Sequence, residues 1–300
     1  MNNFNKDNFI KDLSNTVGEN NILTTEWGKL PYSKGWRYGE GRALAVARPG
    51  TLFEIWKLIK VCVNQDVIVI MQAANTGLTG GSTPYGNDYD RPLIIINTRR
   101  ISDIHIIDNG KQIVGFAGST LIGLEKKIAS YGREPHSVIG SSCIGASIVG
   151  GICNNSGGAL IKRGPAYTEL ALYAQIDSNG ELVLINDLGI ELGDTPKEIL
   201  SNLQNQNYNK DQISFPNKRA SDNEYEKRVR DIEADTPSRF NADKRRLYGA
   251  SGCAGKVAVF AVRLDTYPIP KRNQVFYIGT NSSNILGHMR RDILSQFKHL

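Results

Sequence analysis

The sequence predicts a mixed architecture of helices and strands, and three observations predict it. Residues 43–71 carry a strand, helix, strand pattern; a series of short apolar runs bounded by turn residues follows; and two glycine-rich loops fit neither a hairpin nor a linker. In chain order, residues 6–17 have helical periodicity, and Ala43 to Ala47 reads as a buried strand stopped by Pro49-Gly50. Thr51 and Glu54 then form a capping box, since a hydroxyl and a carboxylate three apart take backbone N–H groups that a first helical turn leaves free. Leu52, Ile55, Trp56, Ile59 and Cys62 fall on one face of that helix. Val67 to Met71 returns as a strand, completing a βαβ crossover. Strands are expected at 93–96, 105–107 and 112–116, and a helix at 121–131 closed by Gly132. Strands at 170–174 and 182–184 are joined by Asp177-Ser178-Asn179-Gly180, whose Asn-Gly marks a hairpin. Thr195-Pro196-Lys197-Glu198 caps a short helix with proline at its favoured first position. Residues 204–245 turn polar and predict a surface excursion with one helix about Glu224 to Glu233. Strands at 256–262 and 275–278 and an amphipathic helix bearing Ile285, Met289, Ile293, Leu294 and Phe297 end the sequence. That last strand and helix cannot bury an apolar face alone, so they read as the opening of a domain supplied elsewhere and predict self-association.

Composition narrows the function. The chain has 300 residues, 40% of them hydrophobic, enough for a sizeable core. The net charge of +6 is spread among 36 basic and 30 acidic residues, so no basic stripe points to nucleic acid. No apolar run approaches the roughly 18 residues that span a bilayer, and Met1 to Asp7 lacks the apolar core of a signal peptide, which predicts a chain facing the cytoplasm. Cys62, Cys143, Cys153 and Cys253 make no CxxC pattern and read as reduced thiols.

Glycine, at 30 of 300 residues, exceeds its usual share of about 7%, and the excess sits in two loops that carry the chemistry. The first loop, Ala73-Ala74-Asn75-Thr76-Gly77-Leu78-Thr79-Gly80-Gly81-Ser82, follows a strand with only small or hydroxylated residues but for Leu78. Successive bare N–H groups there make an anion nest. It lacks the Gly-Lys-Ser/Thr of a Walker loop and the Gly-x-Gly-x-x-Gly of a Rossmann turn, which leaves the pyrophosphate of a dinucleotide held in another fold. Valine at Gly77 or Gly81 is expected to block that ligand and to strain the backbone. The second loop, Gly140 to Gly151, runs into Asn154-Asn155-Ser156-Gly157-Gly158 and offers a long unshielded platform for something large and flat. Cys143 and Cys153 within it read as packing thiols or as points of covalent attachment. Among His105, His136, His288 and His299 there is no metal-ligand spacing, and only His136, just before the second loop, is placed to meet a ligand. Lys244-Arg245-Arg246 and Arg290-Arg291 read as solvated helix ends or as sites for a carboxylate or anionic lipid.

Together with both loops, the segments Gly132-Arg133-Glu134-Pro135-His136-Ser137-Val138-Ile139-Gly140, Arg230-Asp231-Ile232-Glu233-Ala234-Asp235-Thr236-Pro237 and Ser251-Gly252-Cys253-Ala254-Gly255-Lys256 carry a resemblance over nearly the whole chain. The sequence resembles the bacterial quinone-dependent D-lactate dehydrogenases. That resemblance implies the α+β FAD-binding fold of vanillyl-alcohol oxidase and p-cresol methylhydroxylase, with two subdomains holding FAD between them. It implies a pyrophosphate site at Ala73, Ala74, Asn75, Thr76, Gly77, Gly81 and Ser82, and further flavin contacts at Gly140, Ser147, Gly157 and Val259. It also implies a FAD-binding domain over 1–268, its core about 39–210, with 269–300 opening a cap domain.

The implied activity is oxidation of D-lactate to pyruvate, with electrons passed to a quinone at the cytoplasmic face of the inner membrane, through FAD bound non-covalently. No residue matches the family's C-terminal catalytic base, so no catalytic or metal-binding residue is assigned, and the chain alone is expected to lack D-lactate:quinone activity. The alternative is an inactive FAD-binding fragment or one half of a split enzyme paired with a complementary chain.

Overall fold

The computed structural model describes residues 4–137, 142–157, 160–215, 217–240 and 243–297. The first part of the chain gives α1 (Lys6–Val17), β1 (Ile22–Leu23), α2 (Glu26–Ser33), β2 (Ala45–Ala47), α3 (Leu52–Asn64), β3 (Ile68–Gln72) and β4 (Leu93–Asn97). Its four strands form a sheet in the order β1-β2-β4-β3, in which β2, β4 and β3 run parallel and only β1 is reversed. The α3 cap differs in detail from the expected box. Thr51 Oγ1 accepts the N–H of Glu54 at 3.1 Å, but the Glu54 carboxylate reaches one residue further back and takes the N–H of Gly50 at 2.6 Å.

The rest of the chain gives β5 (Ile104–Ile107), β6 (Gln112–Phe116), α4 (Leu121–Ile128), β7 (Arg133–Glu134), α5 (Ile148–Cys153), β8 (Ala171–Ile176), β9 (Leu182–Asn186), α6 (Pro196–Gln204), α7 (Tyr225–Arg230), β10 (Ala258–Asp265), β11 (Tyr267–Pro268) and α8 (Ser283–Gln296). Five of these strands form a second, wholly antiparallel sheet in the order β5-β6-β10-β8-β9. β10, late in the sequence, lies at its centre. β7 and β11 make a separate two-stranded ribbon. At α6 the capping box is complete between Thr195 and Glu198, with Pro196 at the first helical position.

One core joins the two sheets. Ala45, Ala47, Ile94 and Ile96 of the first pack in the same cluster as Val114, Phe116, Leu172, Ala174, Phe260 and Ala261 of the second. Phe9 and Leu13 of α1, Leu52, Ile55, Leu58 and Ile59 of α3, and Leu200 and Leu203 of α6 fill it. Burying each such side chain contributes about 1.5–3 kcal/mol, set against the conformational entropy lost in ordering it. The opposite face of the second sheet is covered by α4 and α5, through Leu121, Leu124, Ile128, Ile148 and Ile152.

Two sequence expectations are corrected. Residues 275–278 form no strand, and Val275, Phe276, Tyr277 and Ile278 lie exposed; a run of strand-favouring residues without a neighbouring edge to pair with does not make a sheet. Lys244-Arg245-Arg246 is no solvated helix end, because Arg246 is 3% exposed and pairs with Asp222 and Asp243. Hydrogen bonding from Arg245, with the nearby Arg246 charge, holds the Asp243 carboxyl down to about 2.

At Gly118 the turn after β6 lies close against the residues that link β4 to β5. A Cβ there would stand 2.2 Å from the Thr98 carbonyl oxygen and 2.9 Å from that of Ile101, both backbone atoms that cannot turn aside. Gly118→Ala should therefore lower stability by about 2 kcal/mol or more, as overpacking a rigid site does, and urea unfolding checks this directly. An unchanged midpoint would show that the two subdomains can separate at this point without cost.

Candidate functional site

The first glycine loop leaves the carboxyl end of β3, where parallel α/β sheets commonly bind ligands. Its entry is fixed by side chains that the sequence did not flag. The Gln72 amide donates to the carbonyls of Tyr32 (2.8 Å) and Ser82 (2.7 Å), so it pins both ends of the loop. Asn97 Nδ2 donates to Gln72 Oε1 at 3.0 Å and to the Ala73 carbonyl at 3.1 Å. Inside the loop, Asn75 takes a left-handed backbone at φ +56°, donates through Nδ2 to the Lys34 carbonyl at 2.8 Å and accepts the Ser82 hydroxyl at 2.7 Å. A strap over residues 34–42 covers one side. Trp36 N donates to the Asn75 carbonyl at 3.2 Å, and Gly39, at φ +92°, approaches so closely that a Cβ would lie 3.1 Å from Gly80 Cα.

The second loop reaches the same place from the other subdomain. Thr98 N donates to the Gln72 carbonyl at 2.8 Å, and its hydroxyl to that of Ala117 at 3.1 Å. Two residues further on, the Ser119 carbonyl accepts Ile148 N at 2.9 Å, and Leu121 N donates to Ala146 at 3.0 Å. The turn at 117–121 thus holds the first loop by one end and the second by the other. Ser147 caps α5, accepting the N–H of Gly150 at 3.1 Å. Gly157 is wedged against the backbone of Pro165, where a Cβ would stand 2.7 Å away, and its carbonyl accepts Arg239 Nη1 at 3.0 Å. Val259 is 4% exposed, and the register shift between Val259 and Ala261 makes Phe260 the extra residue of a bulge. Its side chain belongs to the core, so what Val259 can offer a ligand is backbone. Gly140 lies outside the described residues.

The structure sorts the other candidates. Cys143 is exposed and so is not a packing thiol. Cys153, which is partly buried, and Cys253 share a hydrogen bond, which pulls the Cys253 thiol down to about 7 and, together with burial, raises Cys153 well above its ordinary value. His105 is a core histidine, hydrogen-bonded through Nδ1 to the Tyr208 hydroxyl at 2.7 Å and set edge-on to Phe116. His288 is exposed on α8, Arg291 pairs with Glu233, and His299 lies outside the described residues. His136 is buried, and burial pushes its imidazole down to about 4. Among the described residues no group of three or more histidines, cysteines and carboxylates could hold a metal ion, and no helix is long and apolar enough to cross a membrane.

Comparison with known proteins adds the family. A family described as FAD binding domain matches residues 43–186. The quinone-dependent D-lactate dehydrogenase of Escherichia coli (strain K12) is 55% identical over 292 residues, 97% of this chain and 51% of that protein. That of Haemophilus influenzae is 57% identical over 291 residues, 97% of this chain and 52% of its own length. Over nearly its whole length the chain is similar to quinone-dependent D-lactate dehydrogenases. It spans about half the length of these relatives. Among solved structures, p-cresol methylhydroxylase with substrate bound has a TM-score of 0.57 at 14% identity, covering 89% of this chain and 44% of that one. Alkyldihydroxyacetonephosphate synthase has a TM-score of 0.58 at 12% identity, covering 89% and 41%. These likenesses carry the fold, a FAD-binding α+β fold of the p-cresol methylhydroxylase type.

The residues fit the cofactor that the family model names. From Ala74 to Ser82 no backbone N–H donates to an acceptor among the described residues. A Cβ at Gly77 would meet nothing within 4 Å, and one at Gly81 only Thr79 Oγ1 at 3.7 Å. Neither glycine has a positive φ, which corrects the expectation of backbone strain on substitution. The protein thus leaves space at both glycines and a run of unpaired backbone donors among the described residues, which suits a diphosphate.

Two outcomes follow for the isolated protein. Gly77→Val and Gly81→Val should unfold as the parent does, yet lose FAD affinity about tenfold or more, the cost of one displaced charge-assisted hydrogen bond; titration of flavin fluorescence reads this. Unfolded, His136 binds a proton near pH 6.5, whereas folded it does so only near 4. Its contribution is therefore complete above about pH 6.5 and is lost as the pH falls towards 4, by up to about 1.4 kcal/mol per pH unit. Urea unfolding of the FAD-free protein at pH 6 and 5 should show this slope, and His136→Leu should flatten it.

Proposed function

We propose that this chain holds FAD non-covalently between its two glycine loops and serves the oxidation of D-lactate to pyruvate, with electrons delivered to a quinone. The observation that carries this reading is that the turn at 117–121 is hydrogen-bonded to the second loop and, through Thr98, to Gln72 at the start of the first, whose N–H groups from 74 to 82 are unpaired among the described residues. Ala73, Ala74, Asn75, Thr76, Gly77, Gly81 and Ser82 would hold the diphosphate, the first five from the strand end and the last two from the return of the loop. Ser147, Gly157, Gly140 and the backbone of Val259 are assigned to the remainder of the cofactor. Ser147 lies on the bridge to Thr120, and Gly157 near the close of the small-residue platform. FAD, once bound, supplies the two-electron chemistry that no protein side chain provides. The chain's own part is to bind the cofactor, fix its orientation and exclude water from one side of it through α4 and α5.

The names of the relatives support D-lactate and a quinone as reaction partners, and a quinone acceptor favours work at the cytoplasmic face of a membrane. We assign the FAD-binding unit to residues 1–268, since β11 ends at Pro268 and the next residues run exposed to α8. The alternative reading, an inactive fragment or half of a split enzyme, gains no support over this one: relatives that share 97% of this chain at 51% of their own length suit both.

Acid precipitation of the FAD-bound protein should leave all flavin in the supernatant, whereas flavin in the pellet would mean a covalent bond. Membrane vesicles from cells carrying the gene should reduce a ubiquinone analogue with D-lactate, and vesicles from cells lacking it should not. Equal rates from both would sink the assigned activity.

A further inference from the structure

Two histidines of this fold are buried, and the structure treats them differently. His105, 7% exposed, has the Tyr208 hydroxyl on Nδ1. His136, 4% exposed, has no hydrogen-bond partner on either ring nitrogen among the described residues. Buried polar atoms are nearly always paired, and leaving them unpaired is costly, so two orphans on one ring call for a partner beyond the described residues.

The position of the ring indicates that partner. Glu134, two residues before it, is held by β7 pairing with β11 and by an ion pair with Arg163. The Pro135 carbonyl accepts Arg163 Nη1 at 2.7 Å, and the Arg163 guanidinium stacks on Tyr267 at 4.7 Å. Two residues after Arg163, Pro165 closes against Gly157. His136 is thus fixed where the chain enters the second glycine segment, and it is tied through Arg163 to where the chain leaves it. Burial keeps the imidazole neutral, with one N–H and one lone pair. A diphosphate would favour an imidazolium. A neutral ring instead matches an edge with a donor beside an acceptor, such as the pyrimidine edge of a flavin or the edge of an adenine.

We propose that His136 is a direct ligand of FAD, hydrogen-bonding through its ring nitrogens to one heteroaromatic edge of the cofactor, flavin or adenine. This rests on the reading of the two loops as a FAD site, and the test separates the two. His136→Leu removes both orphaned atoms at similar volume. The FAD-free variant should unfold at a urea concentration no lower than the parent's, while its FAD affinity falls about tenfold or more. His136→Gln, which keeps a donor and an acceptor, should recover part of the loss. A shift of the bound flavin's visible absorption bands in His136→Leu places the contact on the flavin, and weaker binding with unshifted bands places it on the adenine. In the parent protein, 15N-labelled on histidine and with the other three histidines replaced, FAD should move the ring-nitrogen resonances of His136; this measurement stands even if His136→Leu fails to fold. Unmoved resonances, or parent-like FAD affinity in folded His136→Leu, overturn the proposal alone. A parent protein that binds no FAD overturns it together with the loop assignment.

Discussion

The contact of Gly118 with Thr98 is the constraint on which the rest of the site depends. The first sheet can place one glycine loop and the second sheet the other, but neither sheet sets the distance between them. That distance is set where the turn after β6 presses against the residues leaving β4, close enough that only a hydrogen fits in place of a side chain. Thr98 works from both sides of this contact, its N–H bound to the carbonyl of Gln72 and its hydroxyl to that of Ala117. A cofactor bridging two subdomains needs them at a fixed spacing before it arrives, because ordering them at binding would subtract from its affinity.

Glycine serves three separate ends in this chain, and conformation accounts for only one of them. Gly39 needs its positive φ to bring the strap onto the first loop. Gly118 and Gly157 have ordinary backbones but leave no room for a Cβ against neighbouring protein. Gly77 and Gly81 have neither constraint: room exists and the backbone is unstrained, so the missing side chain leaves space for something other than protein. This third class distinguishes a binding loop from a tight turn, and it can be told apart only when the neighbours are known.

Much of the fold could be read from periodicity and caps. The helices at 6–17, 52–64 and 196–204, the crossover into β3 and the Asn-Gly hairpin all lie where local signals put them, since these signals act over a few residues. Both glycine loops stood out as irregular, small-residue segments for the same reason. Long-range pairing was not legible. Nothing near residues 258–265 indicates that this strand enters between β6 and β8, and nothing around Gln72, Asn97 or Thr98 shows that their amides and hydroxyls hold the loop. These residues read as ordinary polar positions until their partners, up to forty residues away in sequence, are in place. The apolar run at 275–278 failed as a strand for the converse reason, because strand propensity makes a strand only when an edge is there to receive it. Arg246 read as a surface charge because its two carboxylate partners, Asp222 and Asp243, are not recognisable as its partners from spacing.

The central place of β10 imposes an order on synthesis. The first sheet uses only strands up to Asn97, so it can assemble while most of the chain is still being made. The second cannot close until residues 258–265 have emerged, because β6 and β8 are joined only through that late strand. For the intervening stretch of translation, the edges of β6 and β8 stand unpaired beside each other, and a premature β6–β8 pairing would shut out the strand that belongs between them. The newborn chain is thus most open to misassembly at β6 and β8, and it becomes safe only when β10 has emerged as far as Asp265.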